Sequence, residues 1–224
     1  MAFPPSPGYR SFRDHLGPQN WRALLDIGTQ ARFEPGQTVL NQGEEGHHVL
    51  AVVRGVCKVV AARPDRGQVL LAVRGPGDTL GEFAVVDRQP RSASVYAVTD
   101  VRAHVLRDAE FTAFLHRRRL DQMLTSYLSM KLRSNSSMVS ELAGVPVKAK
   151  VAWLLCRLVA VSDTAGFVPL YQHDLAELLG VARSSVAASL ADFRAEGLLR
   201  TEPGGVHLLD VDALSRHVQS SRQQ

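Results

Sequence analysis

One short segment combines residue types that suit a phosphorylated ribonucleotide; it reads Gly81-Glu82-Phe83-Ala84 and continues, after five residues, with Pro90-Arg91-Ser92-Ala93. Gly81 permits a close backbone approach and dihedral angles that other residues resist. If the amides after Glu82 open a helical turn, they direct unsatisfied donors at an anion. Glu82 can accept a hydrogen bond from a ribose hydroxyl, while Arg91 has the charge and planar donors that suit phosphate, and Ser92 adds one donor. A strand-end turn with a surface ion pair is the simpler alternative.

Short strands separated by glycines surround this segment and must position it. Apolar residues alternate from about residue 31 to 105, in runs such as Val49-Ala51-Val53 and Val69-Leu71-Val73. Glycines punctuate these runs at positions 43, 46, 55, 67, 75 and 77. The pattern predicts an antiparallel roll or barrel, preceded by a short amphipathic helix within residues 11–30.

A long helix is predicted to follow the β region, from Asp108 to Ala143, because no Pro or Gly occurs before Gly144 and Pro146. Its apolar seam has coiled-coil spacing with one polar member: Leu128, Leu132, Asn135, Val139 and Leu142. A lone asparagine in such a seam fixes register and partner number. Packing against the chain's own β region explains the apolar members equally well.

The last quarter contains the pattern of a winged helix-turn-helix. The segment 172–186 has apolar residues at the packing positions of two short helices, with Gly180 at the bend between them. Downstream, two apolar runs flank Glu202-Pro203-Gly204-Gly205, which predicts a hairpin wing. From Val145 onward Lys and Arg match Asp and Glu, eight of each, so charge adds nothing to this interpretation. A helical hairpin without a nucleic-acid role stays open.

Composition sets broad limits on the kind of protein. The chain has 224 residues, enough for two modest domains, and a formal net charge of +4 that is compatible with nucleic acid. Its two cysteines, Cys57 and Cys156, lie in separate apolar stretches and are predicted to be buried rather than paired or metal-bound. No apolar run reaches membrane-spanning length and the first ten residues lack a secretion signal, so we expect a cytoplasmic protein.

The 81–93 segment resembles the phosphate-binding cassette of cyclic-nucleotide-binding domains, and the order of elements resembles the CRP/FNR family of bacterial transcription regulators. The resemblance implies an α+β fold in three parts: a cyclic-nucleotide-binding β-roll (11–107), a long dimerisation helix (108–144) and a winged helix-turn-helix that binds DNA (145–218). It also implies a homodimer joined along the long helix. The nucleotide-binding residues that it implies are Gly81, Glu82, Phe83, Ala84, Arg91, Ser92, Asn135 and Ser136. An amide such as that of Asn135 can bond bidentately to an adenine edge.

The recognition helix departs from the family pattern. Arg183 is retained and can pair with a guanine. Ser184 and Ala188 stand where members with the best-known operator carry an acidic residue and a second arginine, so that operator is not assumed. Ser185 and Ser189 are further candidate DNA contacts, facing phosphate or solvent. Ala182 stands where Ser commonly caps the helix, which predicts a weaker N-cap.

The resulting hypothesis is a DNA-binding regulator, not an enzyme, gated by a cyclic nucleotide, with cAMP as first candidate and cGMP not excluded. Its expected partners are double-stranded DNA, the nucleotide, a second copy of the chain and RNA polymerase; no membrane, metal or catalytic residue is predicted. Two alternatives are kept. One is a DNA-binding regulator that needs no cyclic nucleotide or uses another effector, and the other is a nucleotide-dependent signalling adaptor whose C-terminal domain docks protein.

Overall fold

The computed structural model describes residues 10–63, 67–142, 144–161 and 166–220, which divide into compact units at residues 136 and 137. The first unit begins with α1 (Phe12–Leu16) and α2 (Pro18–Asp26), which Gly17 separates with a φ of +78°. The strands that follow among the described residues are β1 (Thr29–Phe33), β2 (Thr38–Leu40), β3 (His48–Arg54), β4 (Cys57–Arg63), β5 (Gly67–Arg74), β6 (Thr79–Leu80), β7 (Ser94–Ala97) and β8 (Val101–Arg107). The short α3 (Glu82–Asp87) lies between β6 and β7.

These strands form two antiparallel sheets, in the orders β1-β8-β3-β6 and β2-β7-β4-β5. Apolar residues from both sheets, such as Leu50, Val52 and Val95, form one buried cluster. A second cluster, which includes Phe12, packs the helices of this unit against β3 and β8. The alternating runs therefore form a two-sheet roll, and the predicted α+β fold class is confirmed.

The predicted single helix from Asp108 to Ala143 is wrong, because the chain forms α4 (Asp108–Arg117) and then α5 (Asp121–Leu142). Arg119, with a φ of +57°, lies in the break between them. The buried apolar residues of α4 end at Leu115, and the next ones that join the same cluster begin at Leu120. A five-residue step does not fit one face of a straight helix, so the chain turns to bury both segments against one core.

The second unit contains helices and a small sheet. Its elements are α6 (Val147–Val161), β9 (Phe167–Val168), α7 (Gln172–Leu179), α8 (Arg183–Ala195), β10 (Leu199–Glu202), β11 (Gly205–Leu208) and α9 (Val211–Ser220). β10 and β11 pair with Glu202 opposite Gly205, and β9 adds to β11. The predicted hairpin is thus present, with a two-residue turn. No helix among the described residues is long and apolar enough to cross a membrane.

Candidate nucleotide pocket and DNA-binding surface

The turn that opens the cassette depends on Gly81. Its φ of +85° and ψ of 2° lie in the left-handed region, and α3 begins at the next residue. A Cβ at this position would collide with the guanidinium of Arg91. Position 81 therefore requires glycine for two reasons, the backbone conformation and the close approach of the arginine.

Arg91 points into the protein, with 4% of its surface exposed. It donates to the carbonyl oxygen of Gly81 and, through Nη2, to that of His48 at 2.5 Å. Backbone bonds to Gly43 and Glu44 hold its own segment in place. Burial lowers the pKa of Arg91, whereas Glu82 and Glu44 raise it. The cassette thus places a buried guanidinium beside the Gly81 turn, and a bound phosphate would have to replace its carbonyl partners.

Glu82 forms a buried ion pair with Lys131 of α5. Oε1 lies 2.6 Å from Nζ, and the two side chains are 1% and 5% exposed. Lys131 also donates to the Thr79 carbonyl at 2.8 Å, and its Nζ lies 5.1 Å from the ring centre of Tyr127. Burial lowers the pKa of Lys131, and the carboxylate of Glu82 opposes that shift. Oε2 of Glu82 is buried without a hydrogen-bond partner among the described residues, so it can accept a hydroxyl.

A second polar pair joins β5 to α5. Arg74 is 1% exposed and donates from Nη2 to Oδ1 of Asn135 at 2.6 Å, and from Nη1 to the Val73 carbonyl at 3.2 Å. Asn135 is half-buried. The predicted bidentate contact of Asn135 with adenine needs this same Oδ1, so that contact would require the bond to Arg74 to break.

The buried charges of the first unit's described residues do not balance. The cations are Arg74, Arg91 and Lys131, and the anions are Asp78 and Glu82. In their charged forms these five carry three positive and two negative charges, and the carboxylate of Glu44 also acts on Arg91. Buried charge is costly unless it is paired, and in this interior the buried cations outnumber the buried anions.

The other predicted pocket residues differ in exposure. Phe83 is half-buried and Ala84 is buried against the Gly46 backbone. Ser92 and Ser136 are exposed. The structure therefore gathers Gly81, Glu82 and Arg91 at one place and connects them to α5, whereas the roles of the two serines stay predictions.

An open cleft of about 730 Å³ lies elsewhere, between α3, α4 and the loop before β3. Its lining includes His47, Val85, Asp108 and His116, and it contains none of Glu82, Arg91 or Asn135. Ala84 lines this cleft, whereas Glu82 and Arg91 lie outside it, in a cluster of buried polar side chains.

Sequence reasoning missed two members of this cluster, Arg74 and Lys131. Lys131 precedes Asn135 by four residues, which places both on one face of a helix. That spacing could have identified it. Arg74 is a lone cation that ends an apolar strand immediately before a Gly-Pro-Gly turn. This position is unusual, but nothing in it points to α5.

The seam of α5 has mixed surroundings. Leu128 packs against the core of its own unit, and Asn135 contacts Arg74. Leu132 is 56% exposed. The side chains of Val139 and Leu142 lie outside the described part of the chain. Packing within its own unit thus accounts for Leu128. Leu132 instead leaves an apolar side chain exposed on the surface of α5.

The helix-turn-helix has the predicted geometry in the second unit. α7 ends at Leu179, and Gly180, with a φ of +63°, turns the chain before α8 begins at Arg183. Leu175, Val186 and Phe193 are fully buried where the helices pack. Ala182 makes no side-chain cap, as the sequence predicts, so the first amides of α8 lack a side-chain acceptor from that residue.

The first two turns of α8 contain the candidate DNA contacts. Arg183, Ser184 and Ala188 are exposed, and Ser185 is half-buried. Ser189 is different: it is 4% exposed and donates to the Ser185 carbonyl at 2.8 Å. The prediction that Ser189 faces DNA or solvent is therefore wrong, because it lies on the packed face of the helix.

Several cations of the second unit are already paired with anions. Lys148 contacts Asp192 at 3.1 Å and Glu196 at 2.9 Å, which raises its pKa. Arg200 forms an ion pair with Glu202. Arg183, at the exposed start of α8, has no ion pair within the described residues. Although Lys and Arg equal Asp and Glu in number from Val145 onward, an exposed arginine lies at the start of α8, where recognition helices contact bases.

Comparison with known proteins identifies both units. Residues 30–118 match the cyclic nucleotide-binding domain family, and residues 149–217 match the Crp-like helix-turn-helix domain. The CRP-like cAMP-activated global transcriptional regulator of Mycobacterium tuberculosis is 31% identical over 191 residues, covering 82% of this chain and 85% of that protein. The chain belongs to the CRP/FNR family of bacterial transcription regulators. The predicted resemblance is confirmed.

Other CRP/FNR members support the same assignment. The cyclic AMP receptor protein of Thermus thermophilus is 28% identical over 203 residues, covering 89% of this chain and 92% of that protein. A solved CRP-family transcriptional regulator, also from Thermus thermophilus, superposes with a TM-score of 0.67 at 26% identity, covering 85% of this chain and 97% of that one. The solved Thermus thermophilus protein and the Mycobacterium tuberculosis relative are both named as transcriptional regulators.

Cys57 and Cys156 are both buried and free, one in each unit. Burial raises the pKa of each thiol to about 12. No group of three or more His, Cys, Asp or Glu side chains among the described residues could hold a metal ion.

Proposed function

We propose that this CRP/FNR member is a sequence-specific DNA-binding transcription regulator whose affinity for DNA is gated by a cyclic nucleotide in its first unit. Glu82 carries the proposal: it has one buried oxygen paired with Lys131 and a second without a partner among the described residues. A ribose hydroxyl would satisfy the second oxygen. A cyclic phosphodiester would place its negative charge beside the buried guanidinium of Arg91.

The same contacts suggest how binding would reach DNA. Lys131 and Asn135 belong to α5, and they contact the cassette and β5 respectively. A nucleotide that competes for Glu82 or Arg74 would change the contacts that Lys131 and Asn135 make. These contacts hold α5, which leads along the chain into the second unit. Differential affinity for the two arrangements of α5 would shift their populations. The exposed Leu132 supports a homodimer formed along this helix.

Residues 11–107, 108–144 and 145–218 would then act as sensor, connector and DNA-binding parts. Gly81, Glu82, Phe83, Ala84, Arg91 and Ser92 would hold the sugar and phosphate; Asn135 and Ser136 would face the base. On the recognition helix, Arg183, Ser184, Ser185 and Ala188 would face the major groove. The relatives named for cAMP make cAMP the first effector to test.

Isothermal titration calorimetry with cAMP and cGMP tests the sensor part. The wild-type protein is expected to bind at least one of them in the micromolar range or tighter. Arg91→Ala should abolish that binding, because it removes the buried guanidinium. Arg88→Ala is the matched control, since Arg88 is an exposed arginine three residues away. Failure of both nucleotides to bind, or equal binding by wild type and Arg91→Ala, contradicts the sensor.

The two alternatives predict different results with DNA. A regulator that needs no cyclic nucleotide would bind a selected duplex at full strength in the absence of any nucleotide. Contacts with DNA phosphates make duplex binding weaken steeply as the salt concentration rises. A signalling adaptor would show no duplex binding of this kind. Titration of the duplex with and without cyclic nucleotide, at several salt concentrations, therefore separates all three functions.

A further inference from the structure

Arg74 and Asn135 form a polar pair at the end of the cluster that the cassette does not occupy. Arg74 is almost completely buried and donates to Oδ1 of Asn135 at 2.6 Å. A buried guanidinium is costly unless acceptors satisfy it. Its position at the end of β5, directly before a turn, would suit an apolar residue equally well for packing.

The helix α5 fixes where this pair lies relative to the cassette. Asn135 follows Lys131 by four residues, so the two share one face and are separated by roughly 6 Å along the axis. Lys131 is held by Glu82 at 2.6 Å. The positive charge of Arg74 also lowers the pKa of Lys131, although burial has the larger effect. The Arg74–Asn135 pair therefore lies about one helical turn from the carboxylate that would hold the ribose.

A nucleotide in the proposed orientation would extend its base towards this pair. With its phosphate at Arg91 and its ribose at Glu82, the base is the only part left to span that turn. This step rests on the proposed function. It places one edge of the base against Arg74 and Asn135.

The chemistry of the pair discriminates between purines. A guanidinium has donors and no acceptor. Oδ1 of Asn135 already accepts from Arg74, which leaves the Nδ2 donor of that amide for a ligand. Guanine presents two acceptors on its outer edge, O6 and N7, whereas adenine presents the N7 acceptor beside an N6 amino donor. We infer that this pocket selects a 6-oxopurine, so that the preferred effector is cGMP rather than cAMP, with Arg74 as the specificity-determining residue.

A ligand series on the wild-type protein tests the inference without any variant. Cyclic inosine monophosphate (cIMP) shares O6 and N7 with cGMP but lacks its 2-amino group. We expect cGMP and cIMP to bind similarly, and each about tenfold or more tighter than cAMP. The 7-deaza analogue of cGMP, which lacks the N7 acceptor, should bind more weakly than cGMP.

Arg74→Met provides the second arm, because methionine fills similar space without donors. The cGMP-to-cAMP affinity ratio should fall from tenfold or more to about one, mainly through weaker cGMP binding. Arg54→Met is the matched control, since Arg54 is exposed at the end of β3 in the same unit; its ratio should equal that of wild type. If Arg74→Met does not fold, the ligand series still decides.

Each outcome has a defined meaning. Tighter binding of cAMP than of both cGMP and cIMP overturns the inference and leaves the proposed function standing. Tight cGMP binding with cIMP as weak as cAMP also overturns it, because recognition would then depend on the 2-amino group. An unchanged ratio in Arg74→Met removes Arg74 as the selecting residue. Failure of every cyclic nucleotide to bind overturns the proposed function together with the inference.

Discussion

Replacement of Gly81 by alanine should damage the nucleotide site beyond the usual cost of its backbone conformation. Gly36 provides a matched control, because its φ of +83° is almost the same as the +85° of Gly81. An alanine at either position is held in the left-handed region, which costs about 1–2 kcal/mol. At Gly36 nothing lies within 4 Å of the added Cβ, so that strain is the whole expected effect.

At Gly81 the added Cβ also meets Arg91, with Cζ at 2.9 Å, and Leu40 Cδ1 at 3.1 Å. The guanidinium must move and give up its bonds to the carbonyls of Gly81 and His48. Hydrogen bonds to charged groups contribute about 1.5–3 kcal/mol each, and partial rebonding reduces the loss. We therefore expect Gly81→Ala to lower the free energy of unfolding by about 2–4 kcal/mol more than Gly36→Ala does.

Urea unfolding of both variants measures this difference, and calorimetry with the better-binding cyclic nucleotide measures the effect on the site. Gly36→Ala should bind as wild type does, whereas Gly81→Ala should lose at least tenfold in affinity. Equal destabilisation of the two variants would refute the packing argument. Wild-type affinity in Gly81→Ala would show that the phosphate site does not depend on this contact.

Three further predictions concern buried groups. Lys131→Met should lower the free energy of unfolding, measured in urea, by about 3–5 kcal/mol, because it leaves Glu82 buried without its cation. The double variant Glu82→Gln/Lys131→Met should recover part of that loss. A loss below about 1 kcal/mol in Lys131→Met would contradict this prediction. The thiols of Cys57 and Cys156, with pKa values raised to about 12 by burial, should react with a disulfide reagent at pH 8 only after unfolding; rapid labelling of folded protein would disprove it. Burial lowers the pKa of His15 and His48, so below the ordinary histidine pKa of about 6.5 the folded state binds fewer protons than the unfolded state. The free energy of unfolding should therefore fall as the pH drops through that value. The double variant His15→Gln/His48→Gln should flatten this pH dependence, and an unchanged slope would argue against it.

Local sequence patterns were sufficient where structure depends on neighbours along the chain. The alternating runs became β3, β4 and β5, and the glycine before Glu82 has the left-handed conformation that a close approach to Arg91 requires. The hairpin wing and the bend at Gly180 were readable for the same reason, since turn chemistry is local.

Contacts between segments that are distant along the chain could not be predicted from the sequence. Arg74 and Asn135 are 61 residues apart, and their bond depends on how α5 packs against the roll. Ser189 was predicted to face phosphate or solvent, but its position in α8 places it on the packed face of that helix. The break between α4 and α5 was detectable in principle, because the apolar positions shift between Leu115 and Leu120. The absence of Pro and Gly concealed it.

The central claim, that a cyclic nucleotide controls DNA binding, is tested most directly by fluorescence anisotropy. The probe is a labelled duplex selected from a random pool with the nucleotide present. We expect the bound nucleotide to raise the affinity of the wild-type protein for this duplex by tenfold or more. Arg91→Ala should abolish this increase, whereas Arg88→Ala should retain it. Equal affinity with and without nucleotide in the wild-type protein would contradict the account.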